Sequence, residues 1–413
     1  MTSKNILNRN MNILFIIRKF PVVSETFIYN QIYFLLDQGH NVKILALSEN
    51  DSPMHPLMKK YDFKNRVVYY RIPKNKVFKI LEALNILFFN LDRSKHFKKI
   101  SISRMFLLKT IKNFKEAFDI VHCHYGFTSK IYFEANKIGL LTNSKLITSF
   151  HGYDMKKSEV LKNKLKYDEL FKSNPCLITN NNYGKNQLRL LNKKLKNINL
   201  LPVGVDTTYF KPSLKKADVK AKFIVLFCGN LIPLKGPHIV VEIANKIIHD
   251  FGITDVEFII IGDGPQRLIV DNLINKYHLE DFVFLKGKLN QDEVISEMDN
   301  ADIFLLPGIT DDSGTVENQG LVIQEAQSMK LPVLVSNAGG MKFGLLDGIS
   351  GYVLPEGEVK EFVSKIIFLK ENVEFRLQMG NKGRELIMND FDTKVLGEKL
   401  LSIYNNSISS KQI

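Results

Sequence analysis

Ten short apolar runs punctuate this chain, and helical patterns fill the intervals between them. Five lie in the first half: "NILFII" (12–17), "HNVKILAL" (40–47), "DIVHCHY" (119–125), "KLITSFH" (145–151) and "CLITNN" (176–181). Five more follow: "KFIVLFCG" (222–229), "VEFIIIGDG" (256–264), "FVFLKG" (282–287), "ADIFLLPG" (301–308) and "PVLVSN" (332–337). Most are apolar at consecutive positions, as strands covered on both faces must be. Helical patterns at 24–38, 236–249, 265–278, 291–299 and 319–329 separate them. Strand and helix in alternation predict βαβ units and parallel sheets. A chain of 413 residues exceeds one ordinary core. The two series therefore predict an α/β protein of two doubly wound, Rossmann-like domains, with the break near "LPVGVDTTYFKP" (201–212). We set the domains at 1–205 and 206–390, with 391–413 as a terminal helix. In "FDTKVLGEKLLSIYNN" (391–406), Phe391, Val395, Leu400 and Leu401 are available for packing, and a course back to the first domain is open to it.

Charge divides along the same break. Residues 1–210 hold 35 Lys and Arg against 15 Asp and Glu, a net +20, whereas the remainder carries −6. Only the first half would be drawn to an anionic surface. Between 59 and 115 there are 16 basic residues and three acids, and "VFKILEALNILFFNL" (77–91) places its apolar residues at helical spacing. A basic amphipathic helix suits a membrane interface; it equally suits a helix whose apolar face covers the domain core and whose lysines are solvated.

Three cysteines, Cys123, Cys176 and Cys228, imply no disulfide framework. The apolar run after the basic opening spans about six residues, short of a secretory h-region. No stretch reaches the ~18 uncharged apolar residues of a spanning helix. The expectation is a cytoplasmic protein, with any membrane contact peripheral at the inner face of the plasma membrane.

Ligands of doubly wound sheets sit beyond the carboxyl ends of the strands, so the residues there are the candidates. "FCGNLIPLKGPH" (227–238) passes from strand to helix, with Lys235 and Gly236 just before Pro237, a residue suited to a first helical turn. A lysine there is placed to hold a pyrophosphate, or is simply solvated. "FIIIGDGPQRL" (258–268) puts Gly262 and Gly264 at another such turn, but Arg267 stands where the dinucleotide fingerprint needs its third glycine. "DDSGTVENQGLVIQEAQSM" (311–329) sets Glu317 and Glu325 eight positions apart across a helix start. Ionised carboxylates only accept hydrogen bonds, so the pair suits the hydroxyls of a sugar nucleotide whose diphosphate faces the helix N-terminus. Solvated acids at a helix start are the plain alternative. His122 and His124 in "VHCHYGF" (121–127) share one face of a strand, and His151 ends another in "FHGYDM" (150–155). With no CxxC or HExxH partner, no metal site is expected.

The order of these pieces resembles the retaining family-four glycosyltransferases of GT-B fold, over nearly the whole chain. "FPVVSETFIYNQIYFLLDQGHNV" (20–42) is similar to the start of bacterial exopolysaccharide, colanic-acid and lipopolysaccharide members. "HGYD", "PVGVD", "G-x-L-x-x-x-KG", "GDGP" and the paired glutamates follow in the family's order. The resemblance implies a retaining, metal-independent transferase that moves a sugar from a UDP- or GDP-sugar to a glycan or lipid-linked acceptor of a bacterial surface polysaccharide, with no cofactor and no nucleic acid. It implies catalytic roles for Glu317 and His151, ribose contact for Glu325 and diphosphate contact for Lys235. Gly229, Asn230, Gly262, Gly264, Gly320, Leu321 and Val322 would complete the donor site. Ser24, Glu25, Thr26 and His124 would lie on the acceptor side. Four positions depart from the pattern: Asn230 replaces an arginine, Asn318 a glycine, and Lys342-Phe343 a Pro-Glu pair. A neutral amide does not replace a guanidinium fork, so the alternative is a non-catalytic GT-B protein that binds a sugar nucleotide or a partner enzyme. Nucleic-acid binding by the basic half lacks any recognition module.

Overall fold

The computed structural model describes residues 9–22, 25–50, 60–72, 102–155, 164–213 and 222–409. Residues 1–179, 184–201 and 397–413 cluster as one compact unit, and 180–183 with 202–396 as a second.

The first unit is built on seven parallel strands: β1 (Asn12–Phe20), β2 (Asn41–Glu49), β3 (Val67–Tyr69), β4 (Ile120–His124), β5 (Lys145–Phe150), β6 (Cys176–Thr179) and β7 (Ile198–Leu200). Their order across the sheet is β3-β2-β1-β4-β5-β6-β7. β1 is an interior strand, pairing Ile13 with both Val42 and Ile120. Ile13 through Ile16 are fully buried, which is why this run reads as apolar without alternation. The second unit repeats the plan with β8 (Phe223–Cys228), β9 (Val256–Ile261), β10 (Val283–Gly287), β11 (Ile303–Leu306), β12 (Val333–Ser336) and β13 (Gly351–Leu354), ordered β10-β9-β8-β11-β12-β13. Both sheets reverse direction of growth at one point, between β1 and β4 and between β8 and β11. Two doubly wound α/β units are the fold class predicted.

All ten apolar runs are strands. The three strands that the pattern missed, β3, β7 and β13, are three or four residues long and stand at sheet edges. Edge strands are covered on fewer sides and need no long apolar run. The five helical patterns appear as Thr26–Asp37, Pro237–Asn245, Arg267–Lys276, Gln291–Asn300 and Leu321–Ser328. The fourth begins with a capping box: Glu293 N donates to Asn290 Oδ1 at 3.0 Å, and Asn290 N to Glu293 Oε2 at 2.7 Å.

The terminal helix runs from Thr393 to Ser409, and its residues from Gly397 onward group with the first unit. Its buried face is Leu396, Leu400, Ile403 and Tyr404, spaced as one helical stripe. Val395, a packing candidate by sequence, lies off that stripe and is 37% exposed. A Cβ on Gly397 would stand 2.2 Å from Phe34 Cγ, so a glycine lets this helix approach Thr26–Asp37. Of the basic segment 77–114, residues up to 101 lie outside those described. Ile102–Lys112 is a helix that buries Met105, Phe106, Leu107, Leu108 and Ile111 in the core. Among the described residues no helix is long and apolar enough to cross a membrane.

Candidate functional site

In the second unit the predicted donor residues meet where the strand order reverses. Lys235 comes from the loop after β8, and Glu317 from the loop after β11. Lys235 Nζ lies 2.5 Å from Glu317 Oε2, with both side chains largely shielded from solvent. Burial alone would raise the Glu317 carboxyl. The charge and hydrogen bond of Lys235, with the N–H groups of Gln319 and Asn318, outweigh it and hold the pKa below the usual value. Glu317 is therefore a carboxylate at neutral pH. Glu325, half-buried in the helix Leu321–Ser328, has the opposite balance: burial pushes it up to about 7, with Lys235 opposing. One lysine thus faces two carboxylates of different proton affinity.

Glycines set the frame of this site. Gly320 adopts φ +72° and caps the helix Leu321–Ser328 without a side chain. The amides of Leu321 and Val322 then open the helix between the two glutamates. A Cβ on Gly262 would meet Gly229 O at 1.9 Å, and one on Gly264 would meet Leu231 O at 2.6 Å. These glycines pack the β9 turn against the β8 turn, so loop-to-loop contact explains them directly. Gly236, at φ +67°, makes the same close approach to Pro307 O. The loop bearing Glu317 is pinned by its neighbour Gln319, whose side chain accepts from Val203 N at 2.7 Å and donates to Val203 O at 2.8 Å.

The first unit gathers its histidines at the carboxyl ends of β4 and β5. His124 Nδ1 and His151 Nε2 are 3.0 Å apart. His122, also buried, lies 2.7 Å from Tyr404 OH and 2.7 Å from Ser149 Oγ. Burial, reinforced by neighbouring imidazoles, lowers His122 to about 3 and His124 well below the ordinary value. Both rings are neutral. The turn after β5 is held by Asp154, which accepts from His151 N and Gly152 N at 3.0 Å each and from Gly126 N at 2.9 Å. Burial pushes Asp154 up to about 6, and those three N–H groups act against the shift. Among the described residues, no group of three His, Cys, Asp or Glu could hold a metal ion.

Two family descriptions match adjoining parts of the chain: "Glycosyltransferase Family 4" over 24–209 and "Glycosyl transferases group 1" over 210–386. The chain belongs to the GT-B glycosyltransferases. It is similar to an Escherichia coli K12 glycosyltransferase named for colanic acid biosynthesis, 26% identical over 95% of this chain and 99% of that one. An amylovoran biosynthesis glycosyltransferase of Erwinia amylovora matches at 26% with the same coverage. Among solved structures, a glycosyltransferase from Rickettsia africae superposes with a TM-score of 0.74 at 19% identity, over 98% of this chain and 100% of that one. Anabaena HepE, solved with UDP and glucose, gives 0.71 at 15% identity, over 96% and 100%.

Within this glycosyltransferase the second unit holds Lys235, Glu317, Glu325 and the loop glycines in one region. Asn230 is exposed at the tip of the β8 loop, and Lys342 is exposed with its Nζ 5.6 Å from the Phe343 ring centroid. On the acceptor side, Ser24 lies outside the described residues. Glu25 is half-buried and accepts from Tyr125 OH at 2.6 Å, and Thr26 opens the first helix. His124 is 0% exposed and packs on Phe15, His122 and His151. Sequence reasoning missed Asp154 and Gln319. The "HGYD" motif contains the first, and a carboxylate four residues after the end of β5 is a turn-clamp signal. Nothing in the sequence marks Gln319, whose partner is 116 residues away.

Proposed function

We propose that this glycosyltransferase moves a sugar, with retention at the anomeric carbon, from a nucleoside diphosphate sugar to a glycan or lipid-linked acceptor in bacterial surface-polysaccharide synthesis. The observation that carries the reading is the Lys235–Glu317 ion pair beside Glu325 and the open helix start at Leu321. On this reading the diphosphate of the donor takes Lys235 from Glu317, and the helix N–H groups donate to its remaining oxygens. Glu317, released, faces the sugar near the reacting carbon. Glu325 accepts from the ribose hydroxyls. The surface-polysaccharide assignment is supported by the relatives named for colanic acid and amylovoran biosynthesis.

Calorimetric titration with UDP and GDP tests the donor side. One nucleotide is expected to bind, with affinity lost in Lys235→Ala. NMR of the anomeric proton in the first-formed product tests retention. An inverted product, or no affinity for either nucleotide, overturns the reading. The departure at Asn230 favours a second reading, a protein that binds the nucleotide without turning it over; binding without donor hydrolysis or transfer would be its signature.

A further inference from the structure

Tyr125 follows β4 in a backbone conformation that side chains avoid, with φ +70° and ψ 128°. Such strain persists only where surrounding contacts impose it, and it concentrates at working sites. Here Tyr125 N donates to Ser149 O at 2.8 Å, and Tyr125 O accepts from Thr128 N at 3.0 Å and from Thr128 Oγ1 at 2.9 Å. The side chain that this backbone carries donates its hydroxyl to Glu25 Oε1 at 2.6 Å. Glu25 stands at the N-cap of Thr26–Asp37, yet its side chain makes no capping bond. Tyr125 is the one hydrogen-bond partner of the carboxylate among the described residues, which leaves Oε2 without one. A half-buried carboxylate is thus held by a strained tyrosine and caps nothing.

An exposed aromatic ring lies beside it. Tyr153, after β5, is 45% exposed, with its ring centroid 5.2 Å from that of Tyr125 and 6.2 Å from that of Phe127. Arg18, near the end of β1, donates to the Tyr153 hydroxyl, and its charge acts on Glu25. These residues stand at the carboxyl ends of β1, β4 and β5, where the strand order of the first unit reverses. Ligands of doubly wound sheets sit at that point. The side-chain chemistry narrows the ligand. An ionised carboxylate only accepts hydrogen bonds, so the group it meets carries hydroxyls and is not another anion. Arg18 balances that charge, so the surface suits a neutral molecule. One face of a pyranose ring is a row of C–H bonds, apolar and slightly positive, and it matches the negative face of an aromatic ring.

We propose that Glu25 and Tyr153 form a saccharide subsite in the first unit, which takes the terminal neutral sugar of the acceptor with its face on Tyr153 and a hydroxyl on Glu25. Tyr125 and Arg18 are positioning residues, one for the carboxylate and the other for the ring. Assigning that sugar to the acceptor rests on the proposed transfer reaction; the subsite itself does not.

Saturation-transfer NMR with the methyl α-glycosides of glucose, galactose, mannose and N-acetylglucosamine tests the subsite on the full chain, without nucleotide. At least one glycoside is expected to bind, and Glu25→Ala and Tyr153→Ala should each weaken it about tenfold or more. Tyr153→Phe keeps the ring and should keep the affinity; a loss there would give the contact to the hydroxyl and count against the proposal. No binding by any of these glycosides overturns it, as does binding that survives both alanine variants. Should Glu25→Ala fail to fold, Tyr153→Ala, at an exposed position, decides it. Glycoside binding without sugar transfer would sink the proposed function and leave the subsite standing. Transfer without glycoside binding would do the reverse.

Discussion

Glu317 and Glu325 stand eight residues apart and near one lysine, yet their surroundings drive them in opposite directions. Lys235 and two backbone N–H groups keep Glu317 ionised, while burial lifts Glu325 to about 7. A carboxyl that must accept two hydroxyl bonds has to shed its proton first. Below neutrality that deprotonation opposes binding, so affinity for a nucleoside diphosphate sugar should rise by up to about tenfold per pH unit below pH ~7 and level off above it. Titration across that range should give a flat profile for Glu325→Gln; a flat wild-type profile would remove Glu325 from the binding equilibrium. Asp154 allows a second test at this scale. Its carboxylate accepts three backbone N–H groups, two on Oδ1 and one on Oδ2. Asp154→Asn puts an amide donor against one of those donors, and the unmade bond should cost about 1–3 kcal/mol. Chemical denaturation of the variant measures it, and an unchanged midpoint would mean that the turn after β5 is held by other contacts.

At the scale of elements, glycines decide how closely the strand-end loops mesh. Gly262 has φ +138°, and a Cβ there would lie 1.9 Å from Gly229 O. Gly262→Ala must therefore displace the β8 loop as well as strain its own backbone, for a combined cost of about 2–4 kcal/mol. Because the displaced loop leads to Lys235, affinity for whichever of UDP and GDP binds should drop along with stability. Gly252 has nothing within 4 Å of its Cβ position, and its φ of +66° makes Gly252→Ala a control for backbone strain without collision. Equal losses in the two variants would refute the meshing argument. "GDGP" reads as a ligand-binding turn, and its glycines first serve the packing of that turn.

Charge belongs to the whole molecule. The first half of the chain carries +20 and the second −6, and much of the positive excess lies between 59 and 115. Each lysine close to an anionic bilayer contributes about 1 kcal/mol, and salt removes the attraction beyond about a Debye length. The protein is expected to sediment with anionic liposomes at low salt and to be released at high salt. Lys95, Lys98 and Lys99 replaced together by glutamate should abolish sedimentation. Indifference to anionic liposomes at low salt would assign this charge to solvation alone.

The sequence by itself determined the ten apolar strands, the helices at five of the intervals between them and the doubly wound fold, because strands buried on both faces must be apolar at every position and helices must be apolar every third or fourth. It also carried the order of motifs that marks the family. Only the tertiary structure decided what those motifs touch. His124 is a buried ring 3.0 Å from His151, and Gln319 pins the loop of Glu317 to Val203. Lys235 and Glu317, 82 positions apart, each read as a ligand contact and are found paired with one another. Periodicity is local and written in neighbouring residues, whereas burial and proton affinity come from groups that the chain brings together only when both sheets have closed.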